Sequence, residues 1–224
     1  MLLKRIGLIV LACVLALGAS SVQADTVYTL GIPNSGGLDC CNGPYATADV
    51  HLTDATHATV TFTSLDNGGY LYLMADGGSA AVNVNASSWA ISGIVGTNGL
   101  LGFTPGPYTD GGSSAQDGFG TFNQNVNDFD GFTHSATQIT FNLQDLSGSW
   151  ASDAVVLSNN AAGFLASIHG FACANPCTIA EGAFATGYAA NGGGSTQAPE
   201  PSASMLLGLG LFGVGLVSRK ALSV

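Results

Sequence analysis

From Thr26 to Tyr188 one local pattern recurs: short runs with period-two alternation or β-branched residues, each closed by Gly, Asn or Asp. Ala58-Thr59-Val60-Thr61-Phe62-Thr63 is the clearest case, with threonines on one side and apolar residues on the other. Apolar residues spaced by three and four are nearly absent, so helices cannot supply the buried face. Such a chain buries apolar surface as half-covered antiparallel strands. The pattern predicts strands at Thr26–Ile32, Thr47–Leu52, Ala58–Ser64, Tyr70–Met74, Ala80–Asn85, Trp89–Val95, Gln138–Leu143, Asp153–Leu157, Phe164–Phe171 and Ala183–Tyr188. Asp66-Asn67-Gly68-Gly69 and Asp76-Gly77-Gly78 read as hairpin turns, because Asn and Gly accept positive φ. The expected fold is all-β: an antiparallel β-sandwich, jelly-roll-like, over residues 25–190. Gly96 to Asn127 reads as a long surface excursion, pinned by Phe103, Tyr108, Phe119 and Phe122. No internal repeat of fixed period is present.

Charge narrows the functions open to this body. Only four residues are Lys or Arg, and all four (Lys4, Arg5, Arg219, Lys220) lie in the terminal segments. Thirteen of the fourteen acids fall within residues 25–198, which hold no Lys or Arg. Nothing there can neutralise phosphates, so nucleic-acid binding is excluded. Arg or Lys clamps on acidic substrates are excluded equally.

Both ends read as addresses. Residues 1–24 have the order of a secretory signal peptide: Lys4-Arg5, an apolar run Ile6–Leu17, then a small-residue exit ending at Val22 and Ala24. Signal peptidase is expected to cut before Asp25. Residues 191–198 have flexible-linker composition. Pro199-Glu200-Pro201 follows, then an uncharged run Ala203–Val217 and the pair Arg219-Lys220. A helix over that run spans only about 22 Å, less than a ~30 Å hydrocarbon core, so it is a short, transient anchor in the inner membrane. The basic pair favours a cytoplasmic C-terminus and an outward-facing body. Gly208, Gly210 and Gly213 spell G-x-G-x-x-G, but without a following βαβ unit they read as small residues of a membrane helix.

This tail, residues 199–224, resembles the PEP-CTERM sorting signal of Gram-negative, biofilm-forming bacteria. The resemblance rests on Pro199-Glu200-Pro201, Met205–Val217 and Arg219-Lys220 in that order. It implies processing by an exosortase near the Pro-Glu-Pro motif and transfer to the cell surface or beyond. The body is vaguely similar to β-rich bodies that precede such tails, through Ala58–Phe62, Ala80–Asn85 and Thr186–Ala190.

Four cysteines remain after signal removal: Cys40, Cys41, Cys173 and Cys177. Export makes disulfides the expected state. The expected pairings cross-link the first loop to the last, Cys40–Cys173 with Cys41–Cys177 or the swap. The third connectivity pairs sequence neighbours and closes a vicinal ring. A four-cysteine zinc site fits poorly, because structural zinc ligands have two to four residues within each pair.

Other candidates for chemistry are sparse. Asp128-Phe129-Asp130-Gly131 has the look of a calcium turn, so calcium through Asp128 and Asp130 is the one cofactor weighed. His51 and His57 bracket a turn and could form a metal pair; His134 and His169 are the other histidines. Gly77-Gly78-Ser79 starts like a nucleophile elbow, but Ala81 stands where the last glycine belongs. Asp49, Asp54, Asp66, Asp76, Asp128, Asp130, Asp145 and Glu181 could supply a glycosidase pair, and eight choices make any one unspecific. Trp89 and Trp150, with Tyr70, Tyr72, Tyr108 and Tyr188, could stack on sugars. The expectation is a non-enzymatic exported protein of the cell surface or exopolysaccharide matrix, without a catalytic site. Alternatives are a carbohydrate-binding module and a secreted glycoside hydrolase.

Overall fold

The computed structural model describes residues 25–197, with side chains through residue 192. Its strands are β1 (Thr26–Pro33), β2 (Ala46–Asp54), β3 (His57–Ser64), β4 (Asp66–Asn67), β5 (Tyr70–Met74), β6 (Asp76–Val82), β7 (Trp89–Thr97), β8 (Thr109–Gln116), β9 (Gly120–Asp128), β10 (Gln138–Asp145), β11 (Ala166–Ala174) and β12 (Ala185–Gln197). No α-helix occurs among the described residues, only three single 3-10 turns. The expected signal peptide, residues 1–24, and the tail from Pro199 onward, with the expected sorting residues, lie outside the described residues.

Hydrogen bonding runs through one antiparallel sheet in the order β7-β10-β3-β2-β1-β12-β11-β6-β9-β8, with β5 also paired to β11. The all-β antiparallel class is as expected. The sandwich expectation needs refining, because no break separates two sheets: β11 pairs β12, β5 and β6 at once. The two ends of the sheet come together. Trp89 on β7 donates its indole N–H to Gln124 Oε1 at 2.9 Å, and Gln124 donates to Asp110 Oδ1 on β8 at 2.8 Å. Tyr108, just before β8, lies so close to Gly96 of β7 that a Cβ there would sit 2.0 Å from its ring. The sheet is therefore nearly closed and barrel-like.

One apolar cluster fills the inside. Leu30, Val50, Val60, Phe62, Tyr72, Met74, Ile139, Phe141, Leu143 and Ile168 are all buried in it. Each fully buried side chain of this size contributes roughly 1.5–3 kcal/mol relative to exposure. Residues 150–157 cross from the β2–β3 turn to Val84, placing Trp150, Val156 and Leu157 in the same cluster. The outside differs between the two halves of the sheet. Around β5, β6, β9, β11 and β12 it is covered by loops, which add Phe103 and Cys177 to Leu73, Phe171 and Cys173, and Phe119 to Ala81, Phe122 and Ala190. On β1, β2, β3, β10 and β7 the outer residues meet solvent or are half-buried.

Four local expectations are corrected. Gly96–Asn127 is not a surface excursion, because it contains the β8–β9 hairpin, paired from Thr109↔Asn127 to Gln116↔Gly120. Asp76-Gly77-Gly78 is a bulge within β6 rather than a turn, its register slipping between Asp76 and Ala80; Asp76 (φ 65°) and Gly78 (φ 73°) hold the left-handed geometry. Asp153–Leu157 holds a 3-10 turn at Asp153–Val155 and a single bridge at Leu157, because the Asp153 carboxylate takes the Leu52 N–H and turns the chain. Residues 191–197, expected as a linker, continue β12: Ser195, Thr196 and Gln197 pair with Tyr28, Val27 and Thr26. Gly192–Gly194 sit where that register shifts, so they form a bulge and the free edge of β1 is used. The turn at Gly68-Gly69 is as expected, with φ of 61° and 84° joining the Asn67–Tyr70 pair.

Candidate functional site

Acidic side chains gather where β1 begins and β2 ends. Asp153 is 1% exposed; its Oδ1 accepts the Leu52 N–H at 2.5 Å, while its Oδ2 is buried without a hydrogen-bond partner. Asp49 Oδ1 is buried and unpartnered as well. Burial pushes the carboxyls of both above the ordinary range; the Asp25 charge raises each further and His51 opposes it. His51 itself lies 2.6 Å from Asp25.

His51 and His57 do not form a pair. His51 stands opposite Thr59 and meets Asp25, whereas His57 meets Asp54 at 2.9 Å. Bonds from the Thr56 backbone and from His57 hold Asp54 down to about 2. At the calcium candidate, Asp128 is buried and its Oδ1 accepts the Asp130 N–H at 3.0 Å; its Oδ2 has no partner, and Asp130 is exposed. Among the described residues no three His, Cys, Asp or Glu side chains are placed to hold a metal ion. Ser79 is buried, with its hydroxyl donating to Asp76 O at 2.6 Å. His169 lies between the rings of Tyr188 (4.4 Å) and Phe171 (5.6 Å), and burial pushes its pKa down.

The aromatic candidates differ in burial and in what they touch. Trp150 is 3% exposed and donates its N–H to Asn85 O at 2.9 Å, while Trp89 joins the two ends of the sheet. Tyr72 is fully buried and Tyr108 donates its hydroxyl inward to Met74 O. For the glycan-binding role expected of Trp89 and Trp150, the indole of Trp150 is buried in the core, whereas that of Trp89 is half-buried at the meeting of the sheet ends.

Cysteine connectivity is also corrected. Cys40 pairs with Cys41, and Cys173 with Cys177. Strand alternation is the cause. Cys173 follows Ala172 on β11, so Ala172 points into the inner cluster and Cys173 points out with Phe171 and Leu73. Cys41 joins the inner cluster. The sheet stands between the two cysteine sites, which bars the expected cross-links.

One arrangement was not read in advance. Register aligns the outer side chains of five strands into ranks. One rank is Thr29, Thr47, Thr63, Gln138 and Thr97; the next is Val27, Asp49, Thr61, Thr140 and Val95; the third is His51, Thr59, Asn142 and Ser92. Thr59 donates to Asn142 at 3.0 Å, Thr61 and Thr140 share a bond at 3.2 Å, and Gln138 donates to Thr63 at 3.5 Å. The alternating threonines of β3 were the sequence signal. What was missing was the strand order that brings Thr140 and Thr47 beside them.

The tail identifies the sorting class: residues 197–220 match the family model of the PEP-CTERM protein-sorting motif. That motif implies export, processing by an exosortase and sorting to the cell surface. The match covers the tail and not the body. Comparison with curated proteins and with solved structures gave no match.

Proposed function

We propose that this is a non-enzymatic protein of the cell surface or extracellular polymer matrix, in which the β body is the delivered part and the tail is its address. The carrying observation is the PEP-CTERM motif at residues 197–220, directly after a strand that ends at Gln197. The composition of the body supports the reading. Thirteen acids and no Lys or Arg suit a hydrated, acidic surroundings and give no grip on nucleic acid. In this reading the inner membrane holds the tail transiently, and no cofactor is needed.

Mass analysis of the unreduced native protein, cell-bound and released, tests this reading. The expected released species starts at Asp25, ends near Pro199–Pro201 and lacks four hydrogens for the two disulfides. A chain that keeps Arg219-Lys220 in every fraction makes the tail a plain anchor and removes the sorting reading.

A further inference from the structure

We propose that the outer face of β1, β2, β3, β10 and β7 is a docking surface for a neutral, hydroxyl-rich polysaccharide. The inference rests on the matrix reading above and supplies its partner. Loops and their aromatic residues cover the other half of the sheet, but this half is bare. Asp49 is the single carboxylate within the three ranks, and Asp25 beside them is taken up by His51.

The chemistry of the face selects the partner. Each threonine hydroxyl has one donor and two acceptor sites, and the cross-strand bonds use only part of that capacity. Those bonds fix rotamers before any ligand arrives, which lowers the ordering cost on binding. Neighbours within a rank lie about 4.8 Å apart and successive ranks about 6.7 Å apart, a repeat that an extended polymer meets more than once. An acidic polymer is repelled by the body's charge, and no cation is present to offset that. A protein partner wants buried aromatic or Arg anchors, and this face offers only Val27 and Val95 as apolar contacts. Repeated hydroxyl-to-hydroxyl bonding remains.

The test is affinity electrophoresis of the native protein purified from its own cells, in gels containing hydroxyethylcellulose, galactomannan or alginate. The expected result is retardation by at least one of the two neutral polymers and none by alginate. Thr61→Glu/Thr140→Glu should bind about tenfold more weakly, because the carboxylates strand polymer hydroxyls and add repulsion. Gln138→Glu/Thr97→Glu, at exposed positions, reads the same effect if the first variant misfolds. Thr121→Glu, on β9, should change nothing. Free migration in both neutral polymers overturns the proposal, and so does equal retardation of all variants. A dimer in sedimentation that Thr61→Glu/Thr140→Glu dissolves, with no retardation, assigns the face to a second copy instead. Lack of retardation leaves the sorting reading intact, whereas an uncut tail in every fraction removes that reading without touching the gel result.

Discussion

Three carboxyl groups of this body, those of Asp49, Asp128 and Asp153, each keep one buried oxygen unpartnered, with no Lys or Arg to meet it. Burial is the main cause raising all three above the unfolded carboxyl value. A raised carboxyl binds its proton more tightly in the folded chain, so folding gains as pH falls from neutral through the folded pKa values. The gain is complete below the ordinary carboxyl range. His169 works in the opposite sense. Its lowered pKa favours the neutral ring, so its contribution is present above 6.5 and is lost as pH falls through the folded value. The urea midpoint should therefore respond to acid in two opposed ways. Asp153→Asn, which keeps an acceptor for the Leu52 N–H, should raise the midpoint at pH 7 and flatten its rise as pH falls from neutral towards the ordinary carboxyl range. A profile identical to the parent protein's would mean that Asp153 is not a source of the pH dependence. Gly78 gives a second residue-scale prediction. Its φ is 73°, and a Cβ would sit 1.9 Å from Gln116 Nε2, which donates to Asn125. Gly78→Ala should cost about 2–4 kcal/mol in equilibrium unfolding, from backbone strain plus a broken buried hydrogen bond.

At the scale of elements, legibility followed chemistry. β3 was readable because its outer and inner residues differ, β5 because its unbroken Tyr/Leu run is covered on both faces, and the Gly68-Gly69 turn because positive φ needs glycine there. β8 and β9 were not. Thr109–Gln116 carries almost no apolar residue, and Gln124, Asn125 and Asn127 of β9 are polar where a core strand should be apolar. Side chains compensate: Asn125 donates to Gly112 O, Gln124 bridges Trp89 and Asp110, and Asn127 accepts the Gly78 N–H. Period-two reading has no term for a strand held by its own amides. The disulfides failed for a related reason, since a linear sequence does not say which face of a strand a cysteine takes. Peptide mapping without reduction should find Cys40 with Cys41 and Cys173 with Cys177, each within one peptide. A single peptide pair joining the first loop to the last would contradict the topology. Reduction should cost little, about 2 kcal/mol for the Cys173–Cys177 loop on chain-entropy reasoning, because a loop this short constrains few unfolded conformations.

For the whole molecule, the class of fold was legible and the closure was not. Alternation says that a face is buried; it does not say that β7 and β8 meet across Trp89, Gln124 and Tyr108. Residue type marks the tryptophans as possible sugar contacts or core residues; Trp150 fills the core and Trp89 links the ends of the sheet. Closure also explains the contrast between a loop-covered half and a bare half, and so where a polymer has room to lie. Phe62→Ala, in the fully buried ring pair with Phe141 at 6.2 Å, should cost about 3–5 kcal/mol and loosen both halves together. Hydrogen exchange that rose only in β3 and β10 would show instead that the halves unfold separately.

Thr26 lies opposite Gln197 at one end of an antiparallel ladder, so the chain enters and leaves the body side by side. The mechanical consequence is directional. A pull between those ends peels β1 from β12 one hydrogen-bonded pair at a time, starting at Thr26. A pull between the tail and the threonine-bearing strands loads several ladders along their length and strains their hydrogen bonds together. A body hauled by its tail while a polymer grips its bare face is loaded in the second geometry, the one in which a sheet resists best.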